Sequence, residues 1–319
     1  MNVRWGLGEL PGLLAELGLA RPFLVASPRW EAPVGVVGEW RETPSDRIAE
    51  AADAAGGADS LLAVGGGSPI DLAKAISVET GLPVVSVPTT YSGAEWTPTF
   101  GIRDPGRVMH GGGSGAILAG IVYDPELTVG LPRAETVGTS MNALAHTAEA
   151  LYVKGRNAEG DREALAGARL IGEWLPRVVE TPDDPTARRM LLDGAMHAGA
   201  ALASAGLGLA HAMAQALGGR FGLPHGAMNA LTLPPALRFN EPVAAAEIER
   251  FGEALATGDP AARVQELARL GGYQRLRDQG VPENELVEVA EAAAERAGAK
   301  ANPRPATPSE ISGLLRSIY

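Results

Sequence analysis

The chain has 319 residues, 45% of them apolar and 20% charged, a balance that excludes disorder and leaves ample material for one large or two medium cores. It has no cysteine, which excludes disulfides, thiolate metal sites and cysteine nucleophiles. The net charge of −11 argues against nucleic-acid wrapping or an anionic membrane surface as partner, so a small-molecule ligand is expected.

In chain order, Phe23–Ser27, Val34–Val37, Ser60–Val64, Pro83–Val87 and Ala119–Tyr123 read as short apolar strands. Ile48–Ala55 and Ile70–Glu79 read as helices between them. Apolar strands alternating with helices predict a parallel sheet covered on both faces, an α/β Rossmann-like domain. After Leu131-Pro132 the pattern becomes helical, over Val137–Val153, Pro185–Leu202, Gly208–Leu217, Val243–Ala256, Pro260–Leu270 and Glu283–Ala297. The reading therefore places an α/β domain over 1–133 and an all-α domain over 134–319. The apolar run Ala198–Ala210 is shorter than the ~20 residues a bilayer span requires and reads as a buried helical segment. The opening MNVRWGLGELPG shows no signal-peptide pattern, so a soluble, cytoplasmic protein is expected.

Two polar loops carry the first chemistry. Gly65, Gly66, Gly67 and Ser68 lie between a strand and a helix, where glycine lets the backbone approach a phosphate and free N–H groups attract an anion. Pro69 suits the first helical position, since its missing N–H would lack a partner there. The run is neither GxGxxG nor GxxxxGK[ST], so it matches neither common nucleotide fingerprint. Thr89 and Thr90 follow the next strand, and two such loops side by side form a crevice of the kind that binds nucleotides in open α/β sheets. Glu39, just after the second predicted strand, would suit ribose hydroxyls and favour NAD(H).

The second chemistry lies in the histidines. Asn142 and His146 are four apart and share a helix face; His211 and Gln215 do the same, and His225 follows in a Gly-Leu-Pro-His-Gly turn. Imidazoles converging from two helices and a loop can bind a metal, move a proton or hydrogen-bond a carbonyl. His197, with apolar neighbours, reads as packing. Three histidines with a carboxylate would suit a transition metal, but Asn142 stands where that carboxylate would be, which disfavours one. His110-Gly-Gly-Gly113 suggests an oxyanion hole, yet no G-x-S-x-G elbow accompanies it and a hydrolase reading fails.

The segments GGGSPIDLAKAI (65–76), VPTTYSGAEWTP (87–98), VYDPELTVGLP (122–132), MNALAHTAEALY (141–152) and HAMAQALGGRFGLPHGAMNALTLPPALRFN (211–240) together resemble the iron-containing alcohol dehydrogenase superfamily, most closely the maleylacetate reductases. The resemblance implies a dehydroquinate-synthase-like arrangement of a dinucleotide-binding domain and a helical domain with the active site between them. It implies that Gly65, Gly66, Gly67, Ser68 and Asp71, with Thr89 and Thr90, hold NAD(H) or NADP(H). It further implies that Asn142, His146, His211 and His225, with Tyr91, form the catalytic set. Metal-dependent relatives have aspartate in place of Asn142, so the resemblance, like the residues, points to a metal-free site. If a metal were present, His146, His211 and His225 would hold it. A homodimer is also expected on these grounds.

Three positions depart from the resemblance. Residues 28–43 are too short for a helix between the first two strands. The 104–116 stretch DPGRVMHGGGSGA lacks the usual lysine, leaving Arg107 and His110 as cations for a dicarboxylate. Gln215 replaces a histidine often found four after His211. The leading expectation is NAD(P)H-dependent reduction of a small carbonyl compound. The alternatives are a metal-dependent alcohol dehydrogenase, a pathway-specific enzyme that uses the fold for a non-redox step, and a non-catalytic nucleotide-binding protein.

Overall fold

The computed structural model describes Met1–Tyr319 and divides the chain into two compact units. The first comprises Met1–Thr90 and Ala94–Gly130; the second comprises Tyr91–Gly93 and Leu131–Tyr319. A single boundary near Arg133 does not anticipate that the short Tyr91–Gly93 segment belongs with the helices.

The first unit contains strands β1 (Asn2–Trp5), β2 (Pro22–Ala26), β3 (Gly38–Trp40), β4 (Ser60–Gly65), β5 (Val84–Pro88) and β8 (Leu118–Tyr123), all parallel, in the order β1-β8-β5-β4-β2-β3. Successive residues of each strand serve opposite faces. Phe23, Val25, Leu61 and Ala63 pack under helices α2 (Ile48–Ala54) and α3 (Gly67–Thr80), while Leu24, Ala26, Leu62, Val64 and Val85 pack under α1 (Leu10–Glu16). Both faces are thus covered, as a parallel sheet requires.

Two details of this unit correct the sequence reading, and one agrees with it: residues 28–43 are, as read, too short for a helix between the first two strands. The second strand is Gly38–Trp40 rather than Val34–Val37, and Glu39 lies within it. No helix connects β2 to β3. Instead Trp30, Ala32, Val34 and Val36 of the irregular crossover press onto the core, doing with alternate residues what a helix would do with one face. The 104–116 stretch is not a plain loop: β6 (Phe100–Arg103) and β7 (Met109–Gly113) pair antiparallel as a hairpin.

The second unit is all helical: α4 (Arg133–Ala150), α5 (Ala158–Glu180), α6 (Pro185–Ala205), α7 (Leu209–Phe221), α8 (His225–Ala254), α9 (Pro260–Arg269), α10 (Leu286–Ala294), α11 (Ala297–Ala301) and α12 (Pro308–Ser317). Several starts follow from a side-chain cap before proline. Asp184, before Pro185, accepts the Thr186 and Ala187 N–H groups; Asp259, before Pro260, accepts that of Ala262; and Thr307 with Glu310 forms a capping box before Pro308. Helix α5 was not anticipated, although Ala164, Ala168, Ile171, Leu175 and Val178 recur at helical spacing and are buried. The apolar run 198–210 is not one helix, because α6 and α7 meet at Gly206–Gly208 with a bend of 102°. No single helix is long and apolar enough to cross a membrane.

His225 is also not in a turn. It is the first residue of α8, after Pro224, and the helical backbone continues to a break at Ala244. Glycines let α8 start against α4: a Cβ on Gly226 would lie 2.3 Å from the carbonyl oxygen of Gly138. That neighbour is backbone and cannot rotate away. Gly226→Ala should therefore push the start of α8 off α4 and lower stability by about 1–3 kcal/mol, the usual cost of overpacking. Gly313→Ala, in a helix position with nothing within 4 Å, should leave the urea midpoint unchanged or raise it slightly.

Candidate active site

In the first unit, β4 and β5 lie side by side and end in register, Gly65 opposite Pro88. This sets the glycine turn beside Thr89 and Thr90, and the Thr89 N–H donates to the Gly65 carbonyl at 3.0 Å. Gly65 has φ +144°, and a Cβ there would meet Pro69 at 2.6 Å, so the tight turn demands glycine. A Cβ on Gly66 would meet Thr90 Cγ2 at 2.9 Å. Helix α3 starts at Gly67, three residues earlier than expected, so Pro69 is its third residue and still loses no helical bond. The first N–H groups of α3 therefore follow half-buried glycines that carry no side chain, with Thr90 Oγ1 buried and unpartnered beside Gly66. These residues fit a pyrophosphate.

Other first-unit candidates are otherwise engaged. Asp71 accepts from Lys74 Nζ at 3.0 Å and from the Gly101 N–H at 3.2 Å. Glu39 is ion-paired to Arg41 at 2.6 Å. His110 meets Asp104 at 2.9 Å, and Arg107 lies in the hairpin turn with φ +68°.

In the second unit, α4 presents Asn142, His146 and Glu149 on one stripe, with spacings of four and three. Glu149, absent from the sequence reading, is the centre of the arrangement. Its side chain is 0% exposed. One oxygen accepts the N–H groups of Ala210 at 2.7 Å and His211 at 3.3 Å; the other accepts the Gly208 N–H at 2.7 Å and His211 Nδ1–H at 2.6 Å. The carboxylate thus caps the N-terminus of α7, where unpaired N–H groups stabilise negative charge. It also fixes the ring of His211.

Asn142 links the three imidazoles. Its Nδ2 donates to the Ser92 carbonyl at 2.8 Å, which settles the orientation of the amide. The same Nδ2 is 3.4 Å from His146 Nε2. Its Oδ1 therefore faces His211 Nε2 at 3.3 Å and accepts from Asn229 Nδ2 at 2.7 Å. Asn229, four residues after His225 on α8, also meets His225 Nε2 at 3.1 Å. The rings of His146 and His211 stack with centroids 4.7 Å apart, and those of His211 and His225 lie 5.7 Å apart.

Both nitrogens of His211 face oxygens, so this ring can donate on both sides. His146 differs: burial and the neighbouring His211 and His225 push its pKa well below the ordinary 6.5, and it is held neutral. His146 Nδ1, Ser92 Oγ and Asn229 Oδ1 are buried without partners. Such orphaned atoms are uncommon in folded proteins and are the groups a bound polar ligand would satisfy.

The structure thus brings together Asn142, His146, His211 and His225 and adds Glu149, Asn229 and Ser92. Tyr91 is buried with its hydroxyl accepting from Arg188 Nη1 at 3.1 Å; the residues after it, Ser92 and Gly93, are the ones that meet Asn142 and His146. Gln215 shares the face of His211 but contacts Arg296. His197 is not apolar packing: it meets Glu163 at 2.6 Å and is part-exposed, and Glu163 lies on the unanticipated α5. The spacing of Glu149, seven after Asn142, was the signal that could have found it.

The sequence profile of the iron-containing alcohol dehydrogenases matches residues 6–122, and that of the family's C-terminal part matches 136–319. The chain belongs to the iron-containing alcohol dehydrogenase family. It is 35% identical over 337 residues to maleylacetate reductase from Burkholderia cepacia, covering 100% of this chain and 95% of that one. The crystal structure of maleylacetate reductase from Agrobacterium tumefaciens superposes with a TM-score of 0.89 at 30% identity, covering 100% of this chain and 95% of that one. An iron-containing alcohol dehydrogenase from Corynebacterium glutamicum gives 0.90 at 31%, covering 100% and 94%. Membership makes the chain a nicotinamide-dependent oxidoreductase with the dehydroquinate-synthase-like fold.

The neutral state of His146 has a measurable consequence. Below pH 6.5 the unfolded chain takes up a proton at this position that the folded chain refuses. Its contribution to stability is complete above pH 6.5 and declines as pH falls below it. Urea midpoints of wild type and His146→Gln, followed from pH 8 to 5, should show a shallower acid decline in the variant.

Proposed function

We propose that this member of the family reduces a small carbonyl compound, with maleylacetate or a close relative as substrate, and does so without a metal. The observation that carries the reading is the Asn142 amide set among three imidazoles, with His211 anchored by Glu149.

The family name raises the question of iron, and the donor set does not fit it. The nitrogens that would ligate an ion, Nε2 of His146 and of His225, each face an amide Nδ2, from Asn142 and Asn229. Asn142 adds no negative charge, and both oxygens of Glu149 are already occupied by N–H groups. No three histidine or carboxylate groups in the chain are arranged to hold a metal ion. A divalent ion would have to break the amide contacts and sit without charge compensation.

The glycine turn and Thr90 would hold the cofactor's pyrophosphate, and the bound nicotinamide supplies hydride to the carbonyl carbon. This chain's own residues manage the oxygen. The C=O π bond breaks as the new C–H bond forms, and negative charge builds on oxygen. A donating ring in a buried setting stabilises that charge before any proton moves. His211 then transfers a proton to the oxygen, leaving the ring neutral with Nδ1–H still on Glu149. His146 and His225, with Asn142 and Asn229, hold the ring and the substrate oxygen in place.

Two measurements test the reading. His211→Ala should lower turnover by ~10²-fold or more, the range for lost acid catalysis, while NADH and NADPH still quench protein fluorescence on binding. Unchanged turnover would overturn the role of His211, and no binding of either nucleotide would favour a non-redox use of the fold. Dialysis against a chelator should leave the wild-type rate intact. A loss restored by added Fe²⁺ or Zn²⁺ would establish a metal-dependent alcohol dehydrogenase instead.

A further inference from the structure

Arg296 is a cation without an anion. It lies between α10 and α11, half-buried, and its Nε is buried with no acceptor. Its one side-chain hydrogen bond is long, from Nη1 to Gln215 Oε1 at 3.5 Å. Elsewhere in this unit partly buried arginines meet carboxylates: Arg156 and Arg250 share Asp161, and Arg304 meets Glu310. Around Arg296 no carboxylate compensates the charge, and burial alone moves its pKa, downward. A guanidinium offers five N–H donors in a planar fork, so most of this one's capacity is unused.

Its position gives that capacity a use. Gln215 is four residues after His211 on α7, so the two side chains share a face with Cβ atoms about 5–6 Å apart. The approach of this segment to α7 is made possible by glycine, since a Cβ on Gly298 would lie 2.4 Å from the Gly208 carbonyl oxygen. Gly208 is the residue whose N–H binds Glu149, so the arginine segment and the histidine site are built on the same helix start.

We propose that Arg296, steered by Gln215, is the specificity-determining residue that recognises a carboxylate on the substrate. This deepens the carbonyl-reductase reading and rests on it. The fork binds the carboxylate in a bidentate manner at the flank of α7, one turn from the ring that protonates the carbonyl oxygen. Gln215 keeps the guanidinium in place without neutralising it, as a carboxylate there would. The departure from histidine at this position is thereby explained: an imidazolium beside Arg296 would repel it, whereas a neutral amide accepts from it.

The test pairs Arg296→Gln with Gln215→Glu, which supplies an internal carboxylate to occupy the arginine. Calorimetric titration with succinate, which cannot be reduced at a ketone, reads the subsite directly. Both variants should bind succinate about 10- to 100-fold more weakly than wild type, the range for losing a charged hydrogen-bonded contact, with Arg296→Lys intermediate. In turnover, both should raise KM for maleylacetate by a similar factor with kcat changed less than about threefold, because the contact is made equally in ground and transition states. Reduction of an uncharged ketone by the same variants should be unaffected. Succinate affinity and KM unchanged in both variants would overturn the proposal while leaving the reductase reading intact. A wild type that binds succinate through Arg296 but oxidises neither NADH nor NADPH with any carbonyl would support the subsite and overturn the reductase reading. The circular dichroism of each variant should match wild type, and Gln215→Glu decides the question if Arg296→Gln does not fold.

Discussion

The carboxylate of Glu149 is the constraint on which the helical unit's site depends. A fully buried carboxylate is costly unless every lone pair is used. Here four N–H groups use them, three from the backbone at the start of α7 and one from the ring of His211. The helix start and the imidazole are therefore held by the same two oxygens. Gly208 is required at that point, since a Cβ there would lie 2.9 Å from Glu149 Oε1. Moving the carboxylate would release both the backbone of α7 and the ring it carries.

From that anchor the polar groups follow in a chain of hydrogen bonds with one consistent polarity. Ser92 fixes which end of the Asn142 amide is nitrogen, and this fixes what each histidine meets. Nε2 of His146 faces a donor and Nε2 of His211 faces an oxygen, so two rings stacked 4.7 Å apart have different hydrogen-bond surroundings. An aspartate in place of Asn142 would put an oxygen where the amide nitrogen now meets His146 Nε2 and the Ser92 carbonyl. One amide nitrogen thus sets which hydrogen-bond partner the stacked rings of His146 and His211 each meet.

Close backbone approach is the other recurring device. Gly226 meets Gly138 where α8 starts against α4, Gly298 meets Gly208, and Gly66 meets Thr90 beside the glycine turn. Each contact brings a chemically useful residue to its neighbour: His225 to Asn229 and the rings, Arg296 to Gln215, and the α3 N–H groups to the threonine hydroxyl. Small residues cost helix propensity at such positions, and the packing they permit offsets that cost.

The local features were legible from the residues alone. A parallel sheet shows as apolar runs between helices, the glycine turn shows as strand, GGGS and helix, and Asn142 with His146 shows as a four-residue spacing, because each depends only on neighbours along the chain. The crossover at 28–37, the hairpin at 100–113 and the helical setting of His225 were not, because non-helical packing, cross-strand pairing and a proline-rich helix start leave no clean period. The spacing of Glu149 was visible, but its role was not, since its partners lie about sixty residues further on. The same holds for Asn229 against Asn142 and for Arg296 against Gln215. Sequence determined which groups exist and which face of a helix they share. Which of them meet, which way the amide points and which charge lacks a partner were decided by tertiary packing, because hydrogen bonds and desolvation depend on distances in space rather than on separation along the chain.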